Sequence, residues 1–85
     1  MIFTELELKG AFLVEVKKLE DDRGFFGRAW CSNEFKEHGL VPNFVQLNTS
    51  FSKKKGTIRG MHFQVDPYQE AKFIRCTRGS IYDVI

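Results

Sequence analysis

Apolar and polar residues alternate with a period of two along much of this chain, as in strands that cover one face. In AFLVEV, Phe12, Val14 and Val16 fall on one side, and Leu13, Glu15 and Lys17 on the other. EDDRG reads as a polar turn, and FFGRAW as another short strand, loosened at Gly27. The alternation then gives way to one or two helical turns. Ser32 is the expected N-cap, Glu34 suits the first turn, Gly39 is the expected C-cap, and Pro42 ends the segment. Next, FVQLNTSF sets Phe44, Gln46 and Asn48 on one face, opposite Val45, Leu47, Thr49 and Phe51. GTIRGMHFQ, AKFIRCT and IYDVI read as further strands, separated by the basic loop SKKKG, the loop VDPYQE and the tight turn RGS. About seven short strands, one small helix and no βαβ alternation predict an all-β sandwich or barrel.

The polar positions share faces. Gln46 pairs with Asn48 and His62 with Gln64; Lys72 alternates against Ala71 and Phe73, and Asp83 against Tyr82 and Val84. One reading is a solvated outer face over a packed core, the common arrangement of antiparallel sheets. The other is a polar barrel lumen converging on a ligand. The choice of Gln, Asn and His, with hydrogen-bonding groups of defined geometry, keeps the second open.

Composition narrows the classes. The 85 residues allow one domain, with nine Phe and a globular rather than disordered balance. A net charge of +2 is too weak to argue for nucleic acid, and the Lys53 to Lys55 run is too local. Cys31 and Cys76 lack paired spacing and read as reduced core thiols of a cytoplasmic protein. Thr4, Glu5 and Glu7 interrupt any apolar leader, and no stretch is long enough to span a membrane. The apolar run SIYDVI stops at Ile85, so the chain is expected to be the N-terminal portion of a longer domain; a terminal edge strand is the alternative.

Candidate chemistry centres on GTIRGMHFQ. His62 fits a general base, a metal ligand or a satisfied structural histidine. Fixed cations nearby, Arg59 and Lys72, would favour the neutral base, and an inward lysine would stabilise an oxyanion or enolate. Arg59 and His62 have opposite parity, and a bulge at Gly60 would bring them to one side. Arg23 suits a phosphate clamp or a solvated turn. Of Phe25 and Phe26, one is expected in the core and one against a ligand ring. His38 is expected to be exposed and inert.

Gly56, five residues, His62, one residue and Gln64 resemble the first cupin motif, whose pattern is glycine, five residues, His-x-His, a glutamate, six residues and glycine. Gln64 replaces the second histidine, and Lys72 stands where the glutamate belongs, six residues before Gly79. An ammonium has no lone pair to offer, so no metal site is expected.

DDRGFF, FVQLNTS, RGMHFQ and AKFIRCTRGSIYDVI together resemble the N-terminal half of the dTDP-4-dehydrorhamnose 3,5-epimerases, from end to end of the chain. The resemblance implies the first half of a cupin-type double-stranded β-helix, or jelly roll, paired as a homodimer and free of metal and cofactor. It implies that His62 removes protons beside the 4-keto group, at C3 and C5, and that Lys72 stabilises the enolate. Arg59 and Arg23 match substrate contacts, in part to its diphosphate, and Phe26, Gln46 and Asn48 match residues lining the nucleotide-sugar site. The family's proton-donating tyrosine and base-orienting aspartate belong to the second half; Tyr68 and Tyr82 do not match the tyrosine. Arg28 stands where well-characterised members carry glutamate. The alternatives are a C3-only or C5-only epimerase, a keto-isomerase of the same fold, or a non-catalytic sugar-nucleotide binding or assembly module.

Overall fold

The computed structural model describes residues 1–85. It comprises two compact units, Met1–Ser50 and Phe51–Ile85. Its regular structure is all-β apart from one short helix, consistent with a partial cupin-type fold.

In the first unit, β1 (Ile2–Glu5) and β2 (Phe12–Glu15) form an antiparallel pair with Phe3 opposite Val14 and Thr4 opposite Leu13. The connection between them is tied by Leu6 N–H to the Ala11 carbonyl at 2.8 Å and by Gly10 N–H to Glu5 Oε1 at 3.0 Å. The expected alternation holds in β2: Phe12 and Val14 are half-buried, Leu13 and Glu15 exposed. A second antiparallel pair joins β3 (Leu19–Asp21) to β4 (Gly24–Phe26) around Asp22 and Arg23. Aspartate first and glycine fourth is the preferred filling of such a turn. The strand expected across FFGRAW ends at Phe26. Gly27 lies so close to Val16 and the Lys17 carbonyl that a Cβ there would collide with Val16 Cγ1.

The helix α1 spans Ser32–Glu37, and its N-cap is Cys31 rather than Ser32, with no side-chain cap. Its C-cap is His38 rather than the expected Gly39, which follows it. Gly39, at φ +71°, donates its N–H to the Lys36 carbonyl, and Leu40 N–H reaches the Phe35 carbonyl at 2.9 Å. These two bonds form a Schellman motif, which needs the left-handed conformation that glycine adopts without a Cβ clash.

The core of this unit is aromatic. Phe35, 3% exposed, is its one buried residue. Phe3 and Phe44 meet it edge to face, with centroids at 5.6 and 6.0 Å, and Trp30 lies tilted at 6.3 Å. His38 is exposed, as expected; its ring stacks on Phe3 at 3.9 Å, and its Nδ1 lies 2.7 Å from the Glu34 carbonyl.

The segments that follow the helix correct the strand count. FVQLNTSF, GTIRGMHFQ, AKFIRCT and IYDVI join no ladder, so four strands form where about seven were expected. Extended backbone persists as a strand only when a neighbour satisfies its N–H and C=O groups. The apolar faces of these segments stand in solvent: Val45 is 96% exposed, Leu47 97%, Ile58 92% and Tyr82 95%. The loops between them are where the sequence puts them. Thr57 Oγ1 donates to the Lys54 carbonyl at 2.7 Å within the basic loop, and Tyr68 N–H to the Val65 carbonyl at 2.8 Å. Both cysteines are free thiols, but Cys76 is exposed rather than in a core; Cys31 is half-buried.

Candidate functional site

Arg23, Phe26, Gln46 and Asn48 lie in the first unit; Arg59, His62 and Lys72 lie in the second. The turn between β3 and β4 holds Arg23. Asp21 Oδ1 accepts the Arg23 backbone N–H at 2.9 Å, while Asp21 Oδ2 accepts from the guanidinium Nη2 at 2.6 Å and Nε at 3.2 Å. The guanidinium, and then the backbone N–H, hold the Asp21 carboxyl below the usual carboxylate range; Asp21 in turn raises Arg23. Beside this pair is a shallow open hollow of about 260 Å³, lined by Asp21, Arg23, Gly24, Phe25 and Phe26. Two of the expected substrate residues therefore line one surface.

Neither phenylalanine enters a core, contrary to the expectation for one of them. Phe25 is 59% and Phe26 76% exposed. Lys18 Nζ sits 4.8 Å from the centre of the Phe25 ring, a cation–π contact that covers one face of that ring. Gln46 and Asn48 are exposed and belong to no strand, so neither the solvated sheet face nor the lumen expected for them is formed.

In the second unit, Lys72 Nζ donates to the His62 backbone carbonyl at 2.8 Å and lies 3.4 Å from Glu70 Oε1. Residues ten apart in sequence are thereby joined. The expected bulge at Gly60 is absent, because there is no ladder for it to interrupt. Gly60 has φ +108°, a conformation that residues with a Cβ rarely adopt. Arg59 does not join His62: its Nε donates to Ser52 Oγ and its Nη2 to the Phe51 carbonyl, both at 3.1 Å. No group of three or more His, Cys, Asp or Glu side chains comes together to hold a metal ion.

Two features escaped the sequence reading. Glu70 is two residues before Lys72, so both fall on one face of an extended segment, and that parity was the available signal. Glu34 is a charge node that receives the Met1 ammonium and Arg28 Nη1, each at 2.7 Å. The ammonium, then Arg28, lowers the Glu34 carboxyl below its ordinary range. Helical periodicity marks Glu34 only as a first-turn acid and cannot reveal partners 33 and six residues away.

The sequence profile of the dTDP-4-dehydrorhamnose 3,5-epimerases matches residues 5–85. Curated relatives bearing that name align along nearly the whole chain. The protein from Sinorhizobium fredii is 37% identical over 84 residues, covering 99% of this chain and 43% of the relative. That from Methanothermobacter thermautotrophicus is 40% identical over 96% of this chain and 43% of its own length. That from Escherichia coli K12 is 40% identical over 92% of this chain and 42% of its own length. The chain thus spans less than half the length of these relatives. No solved structure matches it. A profile match from residue 5 to the last residue, with 37–40% identity to three proteins of one name, leaves one assignment: the chain belongs to the dTDP-4-dehydrorhamnose 3,5-epimerase family.

Proposed function

We propose that these 85 residues form the N-terminal portion of a longer epimerase domain and carry the base and the enolate-stabilising lysine of a dTDP-4-dehydrorhamnose 3,5-epimerase. Beside the family membership, the observation that carries this reading is the 2.8 Å hydrogen bond from Lys72 Nζ to the His62 main chain, which keeps an ammonium next to the histidine. The substrate is a dTDP-4-keto-6-deoxy sugar, and the domain is a cupin-type jelly roll that works in the cytoplasm as a homodimer, without metal or cofactor.

The chemistry needs few groups. The neutral His62 imidazole takes the proton from C3, and in a second event from C5, each beside the C4 carbonyl. The C–H electron pair moves into the ring to form an enolate, whose charge rests on the C4 oxygen. The Lys72 ammonium donates a hydrogen bond to that oxygen as it becomes negative, where stabilisation of this kind acts most strongly. An acid delivering a proton to the opposite face of the carbon completes the inversion, while His62 releases its proton to solvent. In the family that acid is a tyrosine of the second half. Arg23 and Arg59 contact the substrate, in part its diphosphate; Phe26, with Gln46 and Asn48, lines the nucleotide-sugar site.

The test is solvent deuterium incorporation at C3 and C5 of dTDP-4-keto-6-deoxyglucose, followed by NMR. Incorporation at both carbons, lost in His62→Ala, is the expected result. Incorporation at one carbon only would make it a narrower epimerase. Undiminished incorporation in His62→Ala would remove the base from the mechanism. Binding of dTDP without any exchange would make this chain a sugar-nucleotide binding module.

A further inference from the structure

The proposed reaction asks a flexible lysine to sit at one place. A lysine ammonium is a point charge on a four-carbon stem with many rotamers, and catalysis by positioning requires that freedom to be removed beforehand. Lys72 has two restraints. Its ammonium donates to the His62 carbonyl at 2.8 Å and faces Glu70 Oε1 at 3.4 Å. An ammonium has three N–H donors. One is directed to the His62 carbonyl, while Glu70 acts as a counter-charge without a hydrogen bond, so donors remain for a ligand oxygen.

The two anchors differ in kind. The His62 carbonyl ties Lys72 to the backbone that carries the proposed base. Glu70 contributes a counter-charge from two residues upstream, and the i, i+2 spacing makes it share the face Lys72 takes in an extended segment. Lys72 and Glu70 are 42% and 49% exposed, so the pair adds little to stability and its effect is one of placement. Glu70 has no other hydrogen bond or ion pair to occupy it.

We propose that Glu70 is a positioning residue whose charge holds the Lys72 ammonium beside His62, with N–H donors left for the enolate oxygen. The role in catalysis rests on the function proposed above; the restraint on Lys72 does not.

Two measurements on the full chain test it. The first is trace labelling of lysine amines with acetic anhydride, read by mass spectrometry. Lys72 is expected to label more slowly than the loop lysines Lys53 to Lys55. Glu70→Gln, which keeps shape and removes charge, is expected to speed Lys72 labelling by about threefold, with Glu70→Asp recovering part of the protection. Equal Lys72 labelling in the parent and Glu70→Gln overturns the proposal. The second is deuterium exchange into dTDP-4-keto-6-deoxyglucose. Glu70→Gln is expected to lower kcat by about tenfold with KM unchanged, and to add no loss in a Lys72→Ala background. Parent-like exchange in Glu70→Gln, with Lys72→Ala impaired, overturns the positioning role alone. If His62→Ala and Lys72→Ala both exchange like the parent, or the parent does not exchange, the catalytic reading falls; the labelling result still decides whether Glu70 restrains Lys72.

Discussion

Arg23 gives one edge of its guanidinium, Nε and Nη2, to Asp21, and Nη1 takes no part in that pair. Glu34 is held with the same economy by the Met1 ammonium and Arg28, and its depressed acidity fixes the sign of a pH effect. The folded carboxyl ionises below the ordinary glutamate value of about 4.3, so its contribution is present above that pH and is lost as pH falls through the folded value. Asp21, also depressed, acts in the same direction. Helical ellipticity followed from pH 7 downward should therefore show an acid transition that is shallower in Glu34→Gln, the remainder belonging to Asp21. Identical acid limbs in the two proteins would mean that the Glu34 pairs do not act on folding. Residue type and spacing single out Arg23, His62 and Lys72 as candidates. Their partners Asp21 and Glu70 are not singled out, because a single sequence states which groups exist and leaves open which of several nearby acceptors each side chain selects.

Elements formed where a segment could satisfy itself locally. The hairpin β3–β4 needs only its own Asp21–Gly24 turn, and α1 needs only the Phe35 anchor and the Gly39 terminus. Gly39→Ala puts a Cβ into the left-handed region and should destabilise the helix end by about 1–2 kcal/mol. Amide exchange at Gly39 and Leu40, which report the two closing hydrogen bonds, should speed up by roughly five- to thirtyfold. Unchanged exchange would show that the helix end is held by packing instead. The N-cap was misplaced by one residue because Ser32 is the better capping side chain by type, while the backbone turns into the helix at Cys31 with φ −155° and leaves no room for Ser32 in that role. FVQLNTSF and GTIRGMHFQ carried a correct period-two pattern and still form no strand. Their hydrogen bonds must come from segments far away in sequence or on another chain, and period-two alternation says nothing about that supply.

At the scale of the whole molecule, apolar side chains are left in water on a scale unusual for a soluble protein. Val45, Leu47, Ile58 and Tyr82 are each more than nine-tenths exposed, and Phe63 is 80% exposed. Unpaired, apolar β-prone segments recruit other strands. The chain is therefore expected to self-associate or to bind a hydrophobic dye; sedimentation of a stable monomer over a broad concentration range, without dye binding, would count against this. The family was legible in the residues, because DDRGFF, RGMHFQ and AKFIRCT are local patterns that persist whatever surrounds them. The all-β class was legible for the same reason, since alternation is a property of neighbouring residues. Which strands exist, that Phe35 is the core, and that Lys72 bonds to His62 while Arg59 turns to Ser52 and Phe51 were decided in three dimensions. Each of those outcomes depends on which distant groups compete for one donor or one buried volume, and that competition has no representation in the order of residues along the chain.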